Sequence, residues 1–225
     1  MFITMNRFFV VLLFFSLPSL TFSQVNDAGM WYSLGLEKKL SQKFSAEFGA
    51  ELRMNENFAE AGTYFTEAGI GYRVNKVVSV SAGYRFIQKR RVEDTYSTRH
   101  RFLINLNMRH KIEMFSFAGR VRYQSQYSDV NSSEVGKIPD NYIRTKLTAK
   151  VDLEKRYTPY FSYEAFFHVN RPEGALYDNY RIAVGIEYEF SKKSAIDLGY
   201  MIDREINVSD PWTNYVFSLG WNYKL

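Results

Sequence analysis

The chain has no cysteine among its 225 residues. This absence excludes disulfide bonds, a thiolate metal site and lipid attachment through an N-terminal cysteine of a mature chain. After Leu20 there is also no apolar run of the roughly 20 residues that a membrane-spanning helix needs. Yet 46% of the residues are hydrophobic, 17% aromatic and 24% charged. We therefore expect apolar and charged residues to alternate along the chain.

The N-terminal segment is typical of a cleavable export signal. Arg7 precedes an apolar run that ends at Leu20, and small residues precede the expected cleavage site at Gln24. The run is too short and too interrupted for a comfortable spanning helix, although an uncleaved N-terminal anchor is the alternative. We predict a signal peptide over residues 1–23 and a single domain over residues 24–225.

The charge balance is too mild to indicate a nucleic-acid partner. The formal net charge is +5 for the full chain, and removing Arg7 with the signal leaves about +4. Export to the cell envelope argues against nucleic acid as well.

A period of two runs through almost the whole of the predicted domain. Between Tyr180 and Phe190, for example, Ile182, Val184 and Ile186 alternate with charged or small residues. Similar segments lie near residues 31–40, 44–54, 64–74, 78–86, 101–109, 115–124, 143–153, 157–169, 194–203 and 212–225. Short and long links alternate between them, as in outer-membrane barrels. The sequence predicts an all-β chain, a single transmembrane antiparallel up-and-down barrel of about 10–12 strands.

The apolar face of these segments avoids charge at its centre, whereas the other face collects it. A soluble lipocalin-like barrel would have the opposite arrangement. Tyrosines near the strand ends on the apolar face are candidate membrane-interface residues, among them Tyr84, Tyr123, Tyr142, Tyr180 and Tyr215 on the side of the long loops. This facing predicts that Val184→Arg costs about 2–4 kcal/mol and that Gly185→Ser costs far less.

The charged residues predicted to face the lumen differ by region. They are Arg85, Arg101, Arg109, Arg120, Arg122, Arg144, Lys146, Lys150, Glu47, Glu51, Glu164, Glu187, Glu189 and Asp197. The middle strands supply mainly cations and the outer strands mainly anions. We expect Arg120, Arg122 and Arg144 to neutralise Glu187 and Glu189 in a polar network that plugs a structural or ligand-binding barrel. A narrow channel for small polar or zwitterionic solutes is the alternative.

The C-terminal strand resembles the signal that the barrel-assembly machinery reads. Gly220 and Tyr223 occupy the expected positions, but the last residue is Leu225 where an aromatic residue is usual. The alternative is an ordinary last strand.

Six short stretches along the domain are distinctive: LEKKL at 36–40, GYRF at 83–86, RHR at 99–101, RYQSQY at 122–127, NRPEG at 170–174 and REIN at 204–207. They resemble the Bacteroidota family catalogued as domain of unknown function 2490. The resemblance covers essentially the whole domain. It implies an outer-membrane barrel and supplies no activity or site residues.

Two groups near the long loops could carry chemistry. Lys89, Arg90, Arg91 and Arg99 form a basic cluster that either contacts lipopolysaccharide phosphates or is a solvated loop.

The histidines are the other group. His100 lies near Ser97 and Asp94 in sequence, and His168 lies beside Asn170. Neither has a nucleophile motif or metal-ligand spacing around it. We expect no catalytic residues, no metal and no cofactor, with a lipid-modifying or proteolytic enzyme as a distant alternative. The expected partners are outer-membrane lipid, lipopolysaccharide and the barrel-assembly machinery.

Overall fold

The computed structural model describes residues 25–170 and 176–225, so the predicted signal peptide and most of the NRPEG motif lie outside the described residues. The described residues form eleven strands: β1 (Val25–Lys39), β2 (Phe44–Asn55), β3 (Glu60–Arg73), β4 (Val78–Arg90), β5 (Tyr96–Ile112), β6 (Phe115–Ser128), β7 (Asp140–Val151), β8 (Tyr157–His168), β9 (Tyr177–Ser191), β10 (Ser194–Glu205) and β11 (Trp212–Lys224). A short 3-10 turn (Val135–Lys137) lies between β6 and β7. No helix in these ranges is long and apolar enough to cross a membrane.

The strands form one closed barrel in sequence order, which confirms the predicted fold class. Consecutive strands pair antiparallel, but β1 and β11 pair parallel, with Val25 opposite Trp212 and Glu37 opposite Lys224. An odd number of strands that alternate in direction leaves the first and last pointing the same way. The barrel therefore departs from the antiparallel expectation at this single seam.

The links between strands define two different rims. The links at residues 40–43, 74–77, 113–114, 152–156 and 192–193 are tight and lie at one end of the barrel, called here the turn rim. The links after β2, β4, β6, β8 and β10 lie at the other end, called here the loop rim. The longest of them joins β6 to β7.

The register keeps one face of every strand directed into the barrel. Residues paired across strands share a face, and Arg144 lies opposite Arg122 on β6 and opposite Phe166 on β8. The other face is apolar and open to the surroundings, since Ile104 and Leu147 are at least 60% exposed. Apolar side chains are thus outside and charges inside.

Tyr142 is an exception to the predicted tyrosine positions. It lies opposite Gln124 and His168, both on the inward face, so it is not an interface residue. Residues two positions apart on a strand share a face, and Arg144, two positions later, also points inward.

The expectation that Gly185→Ser would be mild is wrong. A Cβ at Gly185 would lie 2.5 Å from both the Tyr160 hydroxyl oxygen and the Leu198 carbonyl oxygen. The Tyr160 hydroxyl also comes within 2.8 Å of a Cβ built at Gly199 and donates to Asp197 Oδ1 at 3.0 Å. The two glycines therefore make room for an inward tyrosine, and any side chain at Gly185 displaces it.

Candidate functional site: the filled lumen and its vestibule

A row of alternating arginine and aromatic side chains lines the lumen, following the wall from β4 through β3, β2, β1, β9 and β8 to β7. Its central member is Trp31 on β1, with the guanidinium carbon of Arg53 at 3.7 Å from its ring centroid and that of Arg181 at 5.0 Å. Because β10 and β11 separate β9 from β1 in the barrel wall, the contact between Arg181 and Trp31 reaches past two strands. The complete row, called the arginine–aromatic row below, is Arg85, Phe65, Arg53, Trp31, Arg181, Phe166 and Arg144.

The guanidinium–ring distances at the two ends of the row are similar to those at its centre. The guanidinium carbon of Arg85 lies 3.8 Å from the Phe65 centroid, on which Arg53 also packs at 5.3 Å. On the other side, Arg181 and Arg144 lie 4.7 and 4.3 Å from the Phe166 centroid. All six distances are within the roughly 6 Å over which a cation is attracted to a ring face.

Every arginine of the row also has a carboxylate partner. The nitrogen–oxygen distances are 2.5 Å for Arg53–Glu51, 2.5 Å for Arg85–Glu67, 2.9 Å for Arg144–Glu164 and 2.8 Å for Arg181–Asp203. Asp203 and Glu164 are 1% and 5% exposed. Buried charges are tolerable when they are paired, and each cation of the row has its carboxylate. Arg181 Nε and Asp203 Oδ1 are buried and make no hydrogen bond within the described ranges.

The lumen is open between this row and the turn rim. Two adjoining cavities of about 360 and 730 Å³ share Glu47, Asn105 and Arg122 in their linings. The larger one reaches Asn75 and Val77 in a turn-rim link. The two cavities together are called the vestibule below.

Exposure of inward side chains changes sharply along the lumen. Glu47, Arg109 and Glu189 face inward near the turn rim and are exposed. Arg122 and Arg144, further towards the loop rim, are each only 6% exposed. The open part of the lumen therefore extends from the turn rim as far as Arg122, which lines it, and does not reach Arg144.

All fourteen predicted lumen charges lie at inward strand positions. The structure joins Arg120 and Arg144 to Glu164, and Lys150 to Glu187. Arg101 donates instead to Gln126, while Arg85 and Glu51 pair with residues that the sequence reading missed. Within the described ranges, seven members make no ion pair within 4.0 Å: Arg101, Arg109, Arg122, Lys146, Glu47, Glu189 and Asp197.

The expected pairing of Arg120, Arg122 and Arg144 with Glu187 and Glu189 is wrong. Arg122 Nε donates to Asn105 Oδ1 at 2.6 Å. The ion pairs of the middle strands run along the wall, between strands no more than two apart, because an arginine reaches a neighbouring strand more readily than the opposite wall.

Sequence reasoning missed Trp31, Arg53, Phe65, Phe166 and Asp203. Each lies an even number of positions from a charged inward residue of its own strand. The alternation of a strand therefore predicts that it faces the lumen. Three are aromatic, however, and an aromatic residue in a barrel strand is more naturally assigned to the lipid interface.

The predicted basic cluster at the loop rim is divided between faces. Lys89 and Arg99 lie opposite Ser97 and Ile87 and point inward. Arg90 forms ion pairs with Asp94, at 2.5 Å, and with Glu60. The four residues thus form no single outward patch, and contact with lipopolysaccharide stays a prediction.

Asp129 organises the loop rim next to that cluster. It accepts hydrogen bonds from Arg91 Nη2 at 2.6 Å, Ser97 Oγ at 2.7 Å and the Thr98 amide at 2.9 Å. Desolvation acts to raise the pKa of Asp129, but the bonds from Ser97, Arg91 and Thr98 outweigh it and hold the pKa below the usual range. Arg91 is consequently committed to an intramolecular partner.

The histidines do not form groups with the serine, aspartate and asparagine residues that lie near them in the sequence. His100 is on the outward face, where its Nδ1 lies 2.6 Å from the Tyr84 hydroxyl, and Ser97 is on the inward face. His168 stacks on Tyr142 with ring centroids 4.4 Å apart.

Two carboxylates lie close to His168. Its Nδ1 is 3.8 Å from Asp178 Oδ2 and its Nε2 is 3.9 Å from Asp140 Oδ1. Asn170 bonds elsewhere, to Pro139 and the Asn141 amide. No group of three or more metal-ligating residues occurs in the described part of the chain.

The residues of the predicted assembly signal lie on the parallel seam. Gly220 points inward opposite Ser33 and Asp197, and Tyr223 points outward. The Leu225 amide donates to the Glu37 carbonyl at 2.8 Å. Recognition by assembly machinery stays a prediction.

The family model described as "Protein of unknown function (DUF2490)" matches residues 28–214. The chain belongs to the DUF2490 family. This confirms the family resemblance noted in the sequence. No curated protein matches the chain. Among solved structures it is similar to one described as "Anion-selective porin from Comamonas acidovorans", with 13% identity and a TM-score of 0.42 over 83% of this chain and 56% of that one. The DUF2490 chain thus spans little more than half of that porin.

Proposed function

We propose that the protein is an exported outer-membrane barrel whose lumen is closed by the arginine–aromatic row. In this proposal it serves a structural or ligand-binding role and is neither an open pore nor an enzyme. The observation that carries the proposal is the row itself, a continuous series of seven inward side chains from seven strands, with a carboxylate on each arginine.

The outward face supports a membrane location. Ile104, Leu147 and Leu198 are more than half exposed, and exposed apolar area on this scale would be an aggregation liability in water. In an outer membrane, the short links face the periplasm and the long ones the exterior. The vestibule would then open to the periplasm. Outer-membrane lipid and lipopolysaccharide are the proposed surroundings, with the barrel-assembly machinery acting during biogenesis.

Cell fractionation and gel mobility test the location. We expect the protein in the outer-membrane fraction, with mobility that changes on heating, as for a stable barrel. Recovery as a soluble periplasmic monomer would contradict the membrane proposal.

Planar-bilayer recordings test the closed lumen. We expect almost no conductance from wild-type protein and measurable conductance from Trp31→Ala, because the central ring of the row is gone. Tyr32→Ala is the matched control, since it removes the neighbouring aromatic side chain from the outward face. Steady, selective conductance of the wild type would instead establish the narrow channel.

A further inference from the structure

Arg122 is a buried cation without an anionic partner among the described residues. Its side chain is 6% exposed, it donates one hydrogen bond, to Asn105, and no described carboxylate lies within 4.0 Å of its nitrogens. It also lines both cavities of the vestibule. Most buried charges are paired, and guanidinium groups bind carboxylates in a two-pronged geometry. The vestibule side of Arg122 is therefore a place for an anionic group that comes from outside the chain.

The opposite wall of the smaller cavity has the complementary property. Glu37, Glu47 and Glu189 all line it together with Arg122. Glu37 and Glu47 are directly opposite each other on β1 and β2. Lys192, Lys193 and Lys224 also line this cavity, and Lys224 is opposite Glu37 on β11. Even so, none of the three glutamates forms an ion pair within the described ranges.

These two walls face each other without contact. Arg122 is on β6, whereas the three glutamates are on β1, β2 and β9, and the cavity separates them. Its volume of about 360 Å³ lies within the range of small-molecule sites, near its lower end. A plain anion would leave the three glutamates without an ion pair, and a plain cation would leave Arg122 without one.

We propose that the vestibule binds a small zwitterion, an amino acid or a short peptide. Its carboxylate binds Arg122, and its ammonium group lies among Glu37, Glu47 and Glu189. Lys146 and Arg109, which line the larger cavity and make no ion pair within the described ranges, add to the positive potential on the Arg122 side. The inference deepens the proposed function and rests on it, because the vestibule is a closed-ended site only if the row blocks the lumen.

Isothermal titration of the full barrel, refolded in detergent, with dialanine tests this proposal. N-acetyl-dialanine lacks the ammonium group and dialanine amide lacks the carboxylate. We expect each to bind about tenfold or more weakly than dialanine, the usual effect of losing one charged hydrogen bond. Equal binding of N-acetyl-dialanine would mean a simple anion site and would overturn the zwitterion.

Variants assign the two ends of the ligand. Arg122→Gln should weaken dialanine about tenfold or more but leave the amide unchanged, and Glu47→Gln should weaken dialanine but not its N-acetyl form. Arg122→Lys keeps the charge and should retain part of the affinity. Lys111→Gln is the control, because Lys111 is 58% exposed and pairs with Asp152 outside the vestibule. Heat-modifiable mobility verifies that each variant is folded.

Three results would overturn the inference: no heat from wild type with dialanine, equal affinity for the blocked peptides, or equal effects of Arg122→Gln and Lys111→Gln. Bilayer recordings on the same preparation separate this from the proposed function. A barrel that is closed but binds nothing contradicts only the zwitterion site. A barrel that conducts but shows the predicted peptide and variant pattern contradicts only the closed lumen.

Discussion

Arg53 lies over the indole of Trp31, with its guanidinium carbon 3.7 Å from the ring centroid, while its Nε donates to Glu51 at 2.5 Å. The Arg53 guanidinium thus contacts both a ring on β1 and a carboxylate on its own strand, β2. The contact ties β2 to the strand that closes the parallel seam with β11. A cation over an indole is worth about 2 kcal/mol when it is desolvated.

A double-mutant cycle should detect this contact. Arg53→Met and Trp31→Leu together should show a coupling of about 1–2 kcal/mol in urea unfolding of the refolded barrel. Lys43 and Tyr72 provide the comparison, because the Lys43 nitrogen lies 5.9 Å from that ring at the exposed turn rim. We expect a clearly smaller coupling there. Equal couplings would show that the row adds nothing beyond an exposed pair.

Removing the carboxylate shared by two arginines should be severe. Glu164→Gln leaves Arg120 and Arg144 without their partner in a site that is 5% exposed, and should cost about 3–5 kcal/mol. Glu189→Gln should change stability by less than about 0.5 kcal/mol, since that side chain is exposed and makes no ion pair within the described ranges. Unfolding titrations of the two variants make the comparison, and similar losses would contradict the role of Glu164 as the shared partner of the two arginines.

The two faces of β9 should differ in their tolerance of a cation. Val184 is outward and 49% exposed, so Val184→Arg should cost about 2–4 kcal/mol in refolding into lipid vesicles. Glu189→Arg places the same side chain on the same strand but into the vestibule, and should cost much less. Equal losses would show that the assigned facing of β9 is wrong.

Asp129 should make the loop rim acid-sensitive. Its pKa is lowered, so the carboxylate's stabilising effect is complete above the unfolded pKa of about 3.9 and is lost as pH falls through the lower folded value. Hydrogen exchange at the Thr98 amide should therefore accelerate in that acid range. Asp129→Ala should show fast exchange already at neutral pH.

The control for this experiment is Asp152→Ala. Asp152 is in a turn-rim link, and its lowered pKa results from the hydrogen bond of Lys111. Its removal should leave Thr98 exchange unchanged. A loop rim equally protected in Asp129→Ala would contradict the role of Asp129.

The sequence by itself determined the class of fold and the facing of nearly every strand. A strand alternates its side chains with a period of two, so the charged residues around Arg122 and the apolar residues around Val184 disclose their faces locally. The same rule places Tyr142 inside once it is applied strictly, because Arg144 shares its parity. The segments and links limited the number of strands to about 10–12 but did not decide between an even and an odd number, so the parallel pairing of β1 with β11 was not foreseen.

Only the tertiary structure decided which inward residues meet. Trp31 and Arg181 are far apart in the chain and on strands that are not neighbours, and they come within 5.0 Å only because β1 closes on β11. The face to which a side chain points depends only on its own strand. The residue that it contacts across the lumen depends on strand order, register and the length of each side chain. The pairing of Arg144 with Glu164 rather than Glu187, and the unpaired state of Arg122, follow from those three quantities and not from the pattern of residues.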